Sequence, residues 1–123
     1  MRKGALAVIL AVAAVAMSCA AEPRATDPVA RGRQVYRETG CASCHEPQLV
    51  NLFRPAGPPL DRIGTVAATR RPGLSDVEYL RQSIVDPGAY VVPGYPDSMP
   101  RGLGDRLSSE DLADLVQYLS TLR

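Results

Sequence analysis

The sequence predicts an all-α fold made of short helices, and three observations lead to this prediction. Apolar side chains recur at helical spacing in three segments, and each segment follows a residue that caps helix N-termini well. No segment alternates strictly between apolar and polar residues, as a half-buried strand would. Finally, 11 Pro and 10 Gly residues divide the 123-residue chain often, so its regular elements must be short.

The composition limits the size of the core that the chain can build and the classes of partner that it can bind. The chain is 46% hydrophobic, but it has only five Tyr, one Phe and no Trp. A small domain with so few large side chains struggles to build a core alone, and a large flat cofactor would fill that gap. Basic and acidic side chains nearly balance, at 14 and 13, which does not predict a nucleic-acid partner.

Residues 1–18 have the layout of a signal peptide. Arg2 and Lys3 precede an uninterrupted apolar run from Ala5 to Met17. This run is shorter than the roughly 20 residues that span a bilayer. A buried core helix is the alternative, but the positive flank and the small residues after the run favour a signal peptide and export of the protein.

The letters AMSC, which end at Cys19, resemble the cleavage motif of bacterial lipoproteins. In such proteins the Cys is acylated and becomes the first residue of the mature chain. The motif prefers Leu where Ala16 stands, and ordinary cleavage nearby is the alternative. We expect a lipid on Cys19, a tether over residues 19–26 and one domain over residues 27–123.

The first helix is expected to begin at Asp27-Pro28, because Asp is a good N-cap and Pro suits the first helical position. Gly40 fits the position just past its end. Gly32 costs helix stability, so its missing side chain indicates close contact with another helix.

Two more helices are predicted after loops. Residues 48–61 are loop-like, and the next helix begins at Ser75, which has capping-box spacing to Glu78. Pro87 ends this helix and opens a loop that runs to Gly104.

The last helix has Ser108 as its N-cap, with Leu107 and Leu112 placed to form a hydrophobic staple. Its apolar stripe consists of Leu112, Leu115, Val116, Leu119 and Leu122. The opposite side is expected to carry Asp111, Asp114 and Gln117.

Cys41-Ala42-Ser43-Cys44-His45 is the C-x-x-C-H pattern of covalent haem attachment. Each cysteine sulfur can add to one haem vinyl group, and the adjacent His then falls beneath the iron. A zinc site is one alternative, but it needs about four ligands. A thioredoxin-like redox pair expects a βαβ unit, and a structural disulfide gives no reason for His45.

Met99 is the candidate for the second axial ligand. It is the only Met beyond the predicted signal peptide, and it lies in an irregular loop next to Pro100. Core packing is the alternative role of a lone Met. A thioether is a soft ligand, and His/Met ligation raises the reduction potential.

Other residues are expected to surround the haem. A ligating His usually donates its second ring N–H to an oxygen atom, and the Pro58 carbonyl is the candidate, although a simple Pro-rich turn is also compatible. Leu60, Leu80 and Ile84 are expected against the haem plane. The candidates for propionate contacts are Tyr90, Tyr95 and the pair Arg70-Arg71, with solvated surface as the alternative for the arginines.

Together these features resemble a class I cytochrome c. They are Gly32 and Tyr36 ahead of CASCH, then GPPL, a helix that ends in Asp86-Pro87, the stretch VVPGYPDSMP and a last helix with LVQYL. They cover roughly residues 28–122. In more detail, YLRQSIVDPGAYVVPGY resembles the cytochrome domain fused to the copper-bearing subunit of some bacterial terminal oxidases.

The resemblance implies the small class I cytochrome c fold, in which short helices surround one covalent haem c. It implies that His45 and Met99 are the axial ligands and that the Pro58 carbonyl bonds His45. It also implies a crossing of the first and last helices near Gly32, Tyr36, Leu115 and Tyr118.

With both axial positions filled, the iron would offer no vacant site to a substrate, so we expect an electron-transfer protein and not an enzyme. The leading hypothesis is a monomeric, lipid-anchored one-electron carrier in a bacterial respiratory chain, outside the cytoplasmic membrane. Its partners would be a respiratory donor and a terminal oxidase or reductase. The alternatives are a fixed haem subunit of a periplasmic dehydrogenase or reductase complex and a haem gas sensor or peroxidase. The latter needs an open iron position.

Overall fold

Five helices and two 3₁₀ turns make up the fold in the computed structural model, which describes residues 23–46 and 56–123. The helices are α1 (Pro28–Glu38), α2 (Ala42–His45), α3 (Ile63–Arg70), α4 (Asp76–Val85) and α5 (Ser109–Thr121). The 3₁₀ turns are Pro87–Ala89 and Gly104–Arg106. No strand occurs in these two ranges, so the all-α prediction is confirmed. None of the helices described is long and apolar enough to cross a membrane.

Helix α1 packs across α5, as the glycine in its middle predicted. Asp27 caps α1 by accepting a hydrogen bond from the Ala30 N–H, and Gly40 follows the helix with φ of 75°. A Cβ on Gly32 would overlap the Asp114 carbonyl and lie 2.7 Å from the Tyr118 Cβ. Only glycine therefore permits this close approach of the two helices.

Asp114 is a correction to the sequence analysis, which placed it on the exposed side of α5. Its residue surface is only 5% exposed. The Arg31 guanidinium on α1 donates to both carboxylate oxygens, over 2.6 and 3.2 Å. The ion pair satisfies the carboxylate inside the α1–α5 interface, an arrangement that the periodicity of α5 alone does not reveal.

Helix α3 was not predicted, since the segment before Ser75 carried no helix signal. No side chain caps its N-terminus, and it contains Gly64 and four β-branched residues. Its position is set by tertiary contacts: the Gly64 N–H donates to the Leu122 carbonyl over 2.8 Å. A Cβ on Gly64 would lie 2.7 Å from the Ser120 carbonyl carbon, so α3 also approaches the end of α5 closely.

Helix α4 follows the sequence prediction at both ends. Ser75 and Glu78 form the capping box, and the helix ends at Val85, shortly before Pro87. Helices α3 and α4 pack on each other and on α5. The shared core contains Val35, Tyr36, Ile63, Ala67, Tyr79, Leu80, Ile84, Leu103, Leu112, Leu115, Val116 and Leu119.

The N-terminal part of the described chain is attached to the helices. Arg24 donates to Asp111 over 2.7 Å, and the Ala25 N–H donates to the Gln34 side chain over 3.3 Å. The end of the predicted tether, residues 19–26, thus contacts α5 and α1. Residues 1–22, with the predicted signal peptide and Cys19, lie outside the described residues.

Candidate functional site

The two cysteines and the histidine are brought together by the turn that follows α1. The Cys41 N–H donates to the Tyr36 carbonyl over 3.2 Å, which folds the chain back at the end of α1. The His45 N–H then donates to the Cys41 carbonyl over 3.1 Å, so both residues belong to one helical turn. Cys41 is half-buried and Cys44 is exposed, and the two do not form a disulfide with each other.

His45 is held by a hydrogen bond to the next loop. Its Nδ1 atom lies 2.8 Å from the Pro58 carbonyl oxygen. Because a carbonyl only accepts, Nδ1 carries the proton and the lone pair of Nε2 remains available to a metal. A Cβ on Gly57 would lie 2.8 Å from the ring Cε1 atom, so the glycine leaves the space that the imidazole occupies.

One cavity collects the residues that the sequence analysis singled out for the haem. Cys41, Cys44, His45 and Met99 all line it. The same lining includes Pro58, Leu60, Leu80, Ile84, Tyr90 and Tyr95. The structure therefore brings these residues together, although Cys41 and Met99 are 58 positions apart in the sequence.

Further lining residues were not predicted as part of the site. Ile63, Tyr79, Leu103 and Leu119 extend the apolar wall, and Arg106 also lines the cavity. Leu119 had a signal, as part of the α5 stripe, but periodicity does not distinguish a core contact from a cofactor contact. Ile63 belongs to the unpredicted helix α3, which explains its omission.

The pair Arg70-Arg71 does not line this cavity. Buried Arg70 Nε has no hydrogen-bond partner among the described residues. Arg71 donates to Gln82, and its guanidinium carbon lies 5.9 Å from the ring centre of Tyr90, which is a lining residue. Arg71 is therefore one side chain removed from the cavity, and Arg106 is the arginine that reaches it.

The chemistry of the cysteines does not favour a redox dithiol. Burial raises the pKa of the Cys41 thiol, although a 3.2 Å hydrogen bond to Thr39 opposes this. Reactive dithiol sites instead lower the thiol pKa to keep a nucleophilic thiolate.

In the described part of the chain, no group of three or more His, Cys, Asp or Glu residues could hold a metal ion, so the zinc alternative finds no ligand set there.

Tyr36 lies at the end of α1, next to the turn that carries Cys41, Cys44 and His45. Burial, followed by the negative charge of Glu46, raises the pKa of the Tyr36 hydroxyl above its ordinary value. The ring centres of Tyr36 and Tyr118 lie 5.7 Å apart in an edge-on arrangement. This contact belongs to the α1–α5 crossing. The Tyr36 carbonyl also accepts the hydrogen bond from the Cys41 N–H, so the helix pair supports the turn that carries His45.

The donor set suits a covalently bound haem. The cavity offers two thiols for the vinyl groups, one free ring nitrogen, one thioether and a largely apolar wall. The family model described as Cytochrome c matches residues 29–123. No curated protein and no solved structure matches the chain. On this family match, the chain belongs to the cytochrome c family, whose domain carries one covalently attached haem c and transfers electrons.

Proposed function

We propose that the protein is a monohaem electron carrier in which His45 and Met99 are the two axial ligands. The observation that carries the proposal is the shared cavity, in which both donors meet the two attachment cysteines. Nε2 of His45 is free because Nδ1 lies against the Pro58 carbonyl. Met99 is half-buried and packs against the core, so its thioether is the available donor of the loop after α4.

The role of the chain follows from these two ligands. When bound, haem supplies a one-electron iron couple, and a thioether ligand raises its potential. Holding the imidazole and the thioether in fixed places limits rearrangement when the electron arrives or leaves. With both axial places filled, no position is open to a small substrate. Electron exchange through the exposed side of the site is therefore the proposed activity.

The proposed setting is a bacterial respiratory chain, outside the cytoplasmic membrane. The apolar run before Cys19 and the motif AMSC support export and a lipid anchor. The partners would be a respiratory donor and a terminal oxidase or reductase. The fixed subunit of a periplasmic dehydrogenase or reductase complex is the second candidate, since a haem domain of this kind would serve there equally well. Co-purification with a stoichiometric enzyme subunit would favour that candidate.

Carbon monoxide and peroxide test the closed iron site. We expect the native ferrous protein to bind carbon monoxide poorly and the native ferric protein to show negligible peroxidase activity. Met99→Ala should gain both properties and should lower the reduction potential, because its iron would be open on one side. Spectroscopic titration and voltammetry measure these changes. Rapid carbon monoxide binding by the native protein would reject the carrier and favour a sensor or peroxidase.

A separate experiment tests the anchor. Mass spectrometry of the mature N-terminus should show an acylated Cys19, and Cys19→Ser should move the haem protein into the soluble fraction. One acyl chain binds membranes only marginally, so stable anchoring requires at least two. An unmodified mature chain that starts beyond Cys19 would contradict the anchor while leaving the electron-transfer role untouched.

A further inference from the structure

The loop that carries Met99 is fastened by the guanidinium of Arg101. Its Nη2 atom lies 2.6 Å from Oδ2 of Asp97, so an ion pair closes the five-residue segment with Met99 at its centre. Its Nη1 atom lies 4.0 Å from Oδ1 of Asp86, the C-cap residue of α4. One side chain thus ties the Met99 loop both to itself and to helix α4.

Gly88 makes this attachment possible. A Cβ on Gly88 would overlap the Arg101 guanidinium, so the guanidinium lies against backbone that a side chain would otherwise cover. Gly88 belongs to the 3₁₀ turn Pro87–Ala89, and Pro87 lines the haem cavity. Gly88, which the sequence analysis treated only as part of a loop, therefore leaves the space that the Arg101 guanidinium occupies.

A second attachment lies on the other side of the loop. The Ser98 hydroxyl donates to the Ala56 carbonyl over 3.0 Å. Ala56 precedes the Gly57-Pro58 segment that holds His45. The Met99 loop is thus joined to the histidine side by Ser98 and to the α4 side by Arg101.

We propose that Arg101 is a positioning residue that keeps the Met99 thioether at the haem iron. The inference rests on the proposed ligation by Met99. The side chains of Arg101, Asp97 and Asp86 are 55%, 48% and 68% exposed, so this pairing contributes little to the stability of the whole domain. Opening of the loop alone is enough to break the pairing, however. The effect of the pairing is therefore measured most directly as the rate at which the loop opens.

Imidazole binding to the ferric holoprotein measures loop opening. The iron–sulfur bond must break before an imidazole nitrogen can bond to the iron, which stays ferric throughout. At saturating imidazole the observed rate is therefore the rate at which the thioether leaves. We expect Arg101→Gln to raise this rate about two- to fivefold, the range that corresponds to an exposed ion pair.

Three variants separate the attachment from a general effect of charge. Asp97→Asn should raise the rate similarly, and the double variant should be no faster than the faster single variant, because the two substitutions remove one shared contact. Gly88→Ala should also raise the rate, since it displaces the guanidinium without changing any charge. Arg33→Gln, at an exposed position of α1, is the matched control and should leave the rate unchanged.

Salt supplies an independent readout. At about 1 M salt the Debye length falls to about 3 Å, so the native rate should approach that of Arg101→Gln. Equal rates for native protein and Arg101→Gln at low salt would overturn the role of Arg101. Failure of the ligation itself has a different result: native protein would then bind imidazole as fast as Met99→Ala. The free energy of unfolding of Arg101→Gln, Asp97→Asn and Gly88→Ala should fall by no more than the small amount that corresponds to this rate change, and a larger loss would indicate general damage to the domain and overturn the role of Arg101.

Discussion

His45 illustrates at the scale of one residue how neighbours prepare a ligand. Its ring is fixed between the Pro58 carbonyl, 2.8 Å from Nδ1, and the bare backbone of Gly57. The hydrogen bond makes Nε2 of the imidazole a stronger electron donor to iron, because the Pro58 carbonyl draws the Nδ1 proton toward itself and leaves more negative charge on the ring. The glycine has no chemical role of its own, and its contribution is the space that it leaves.

Gly57→Ala should therefore change both stability and electronics. The added Cβ would lie 2.9 Å from Nδ1, so the ring must shift and weaken its bond to Pro58. We expect a loss of about 1–3 kcal/mol in the free energy of unfolding, as for other overpacked sites. The reduction potential should rise, because a weaker imidazole donor stabilises ferric iron less. Denaturant unfolding and voltammetry of the holoprotein check the two effects.

Gly73→Ala is the control for this prediction. Gly73 has φ of 88° and open space around its would-be Cβ, so alanine there should cost about 1–2 kcal/mol of backbone strain. Its reduction potential should equal that of native protein. An unchanged potential in Gly57→Ala as well would contradict the proposed effect on His45.

Some residues of the site could be predicted from the sequence, and others could not. The attachment cysteines and His45 are adjacent in the chain, so their pattern alone predicts their shared chemistry. Arg106 reaches the cavity from a position 65 residues after Cys41, and no local pattern distinguishes it from a solvated arginine. The choice between Arg106 and Arg70-Arg71 depends on tertiary packing.

Helix caps explain most of what was predictable at the scale of elements. Asp27, Ser75 and Ser108 each accept a hydrogen bond from a backbone N–H in the first turn of their helix, and all three helices were predicted. Helix α3 has no such cap, and its contacts with α5 come from residues far away in sequence. Helix α3, which like the single turn of α2 was not predicted, is thus one whose position is set by packing and not by local signals.

The crossing of α1 and α5 provides a prediction at this scale. Alanine in the middle of a helix ordinarily gains about 0.5–1 kcal/mol over glycine. Gly32→Ala should have the opposite effect, because its Cβ would meet the α5 backbone and the Tyr118 Cβ, 2.7 Å away. We expect a net loss of about 1–3 kcal/mol in the free energy of unfolding. Denaturant unfolding of the holoprotein measures it.

Arg33→Ala, on the exposed side of α1, is the matched control for the crossing. It adds no contact with α5 and should change the free energy of unfolding by no more than about 0.5 kcal/mol. A more stable Gly32→Ala protein would show that the helices separate without cost, which would contradict the close crossing.

The molecule as a whole is organised around its cavity. Leu115 is the one large side chain among the described residues that is less than 2% exposed. Several other core residues, from α3, α4, α5 and the loop between α4 and α5, also line the cavity, namely Ile63, Tyr79, Leu80, Ile84, Leu103 and Leu119. The few aromatic residues in the composition predict that the core depends on a cofactor, because such a chain lacks the volume to fill its own centre.

Removal of the haem should therefore unfold most of the domain. Without it, core residues from α3, α4 and α5 lose their packing partners at once, and a domain of this kind has only about 5–15 kcal/mol of stability to lose. In the native protein, haem should survive denaturation and organic extraction, whereas Cys41→Ala combined with Cys44→Ala should release it. The haem-free double variant should show largely disordered far-ultraviolet circular dichroism. Added free haem should restore part of the helical signal, because His45 and Met99 remain, and this control separates cofactor loss from damage by the substitutions. A haem-free variant with the helical content of the native protein would show that the helices support one another without a cofactor at their centre.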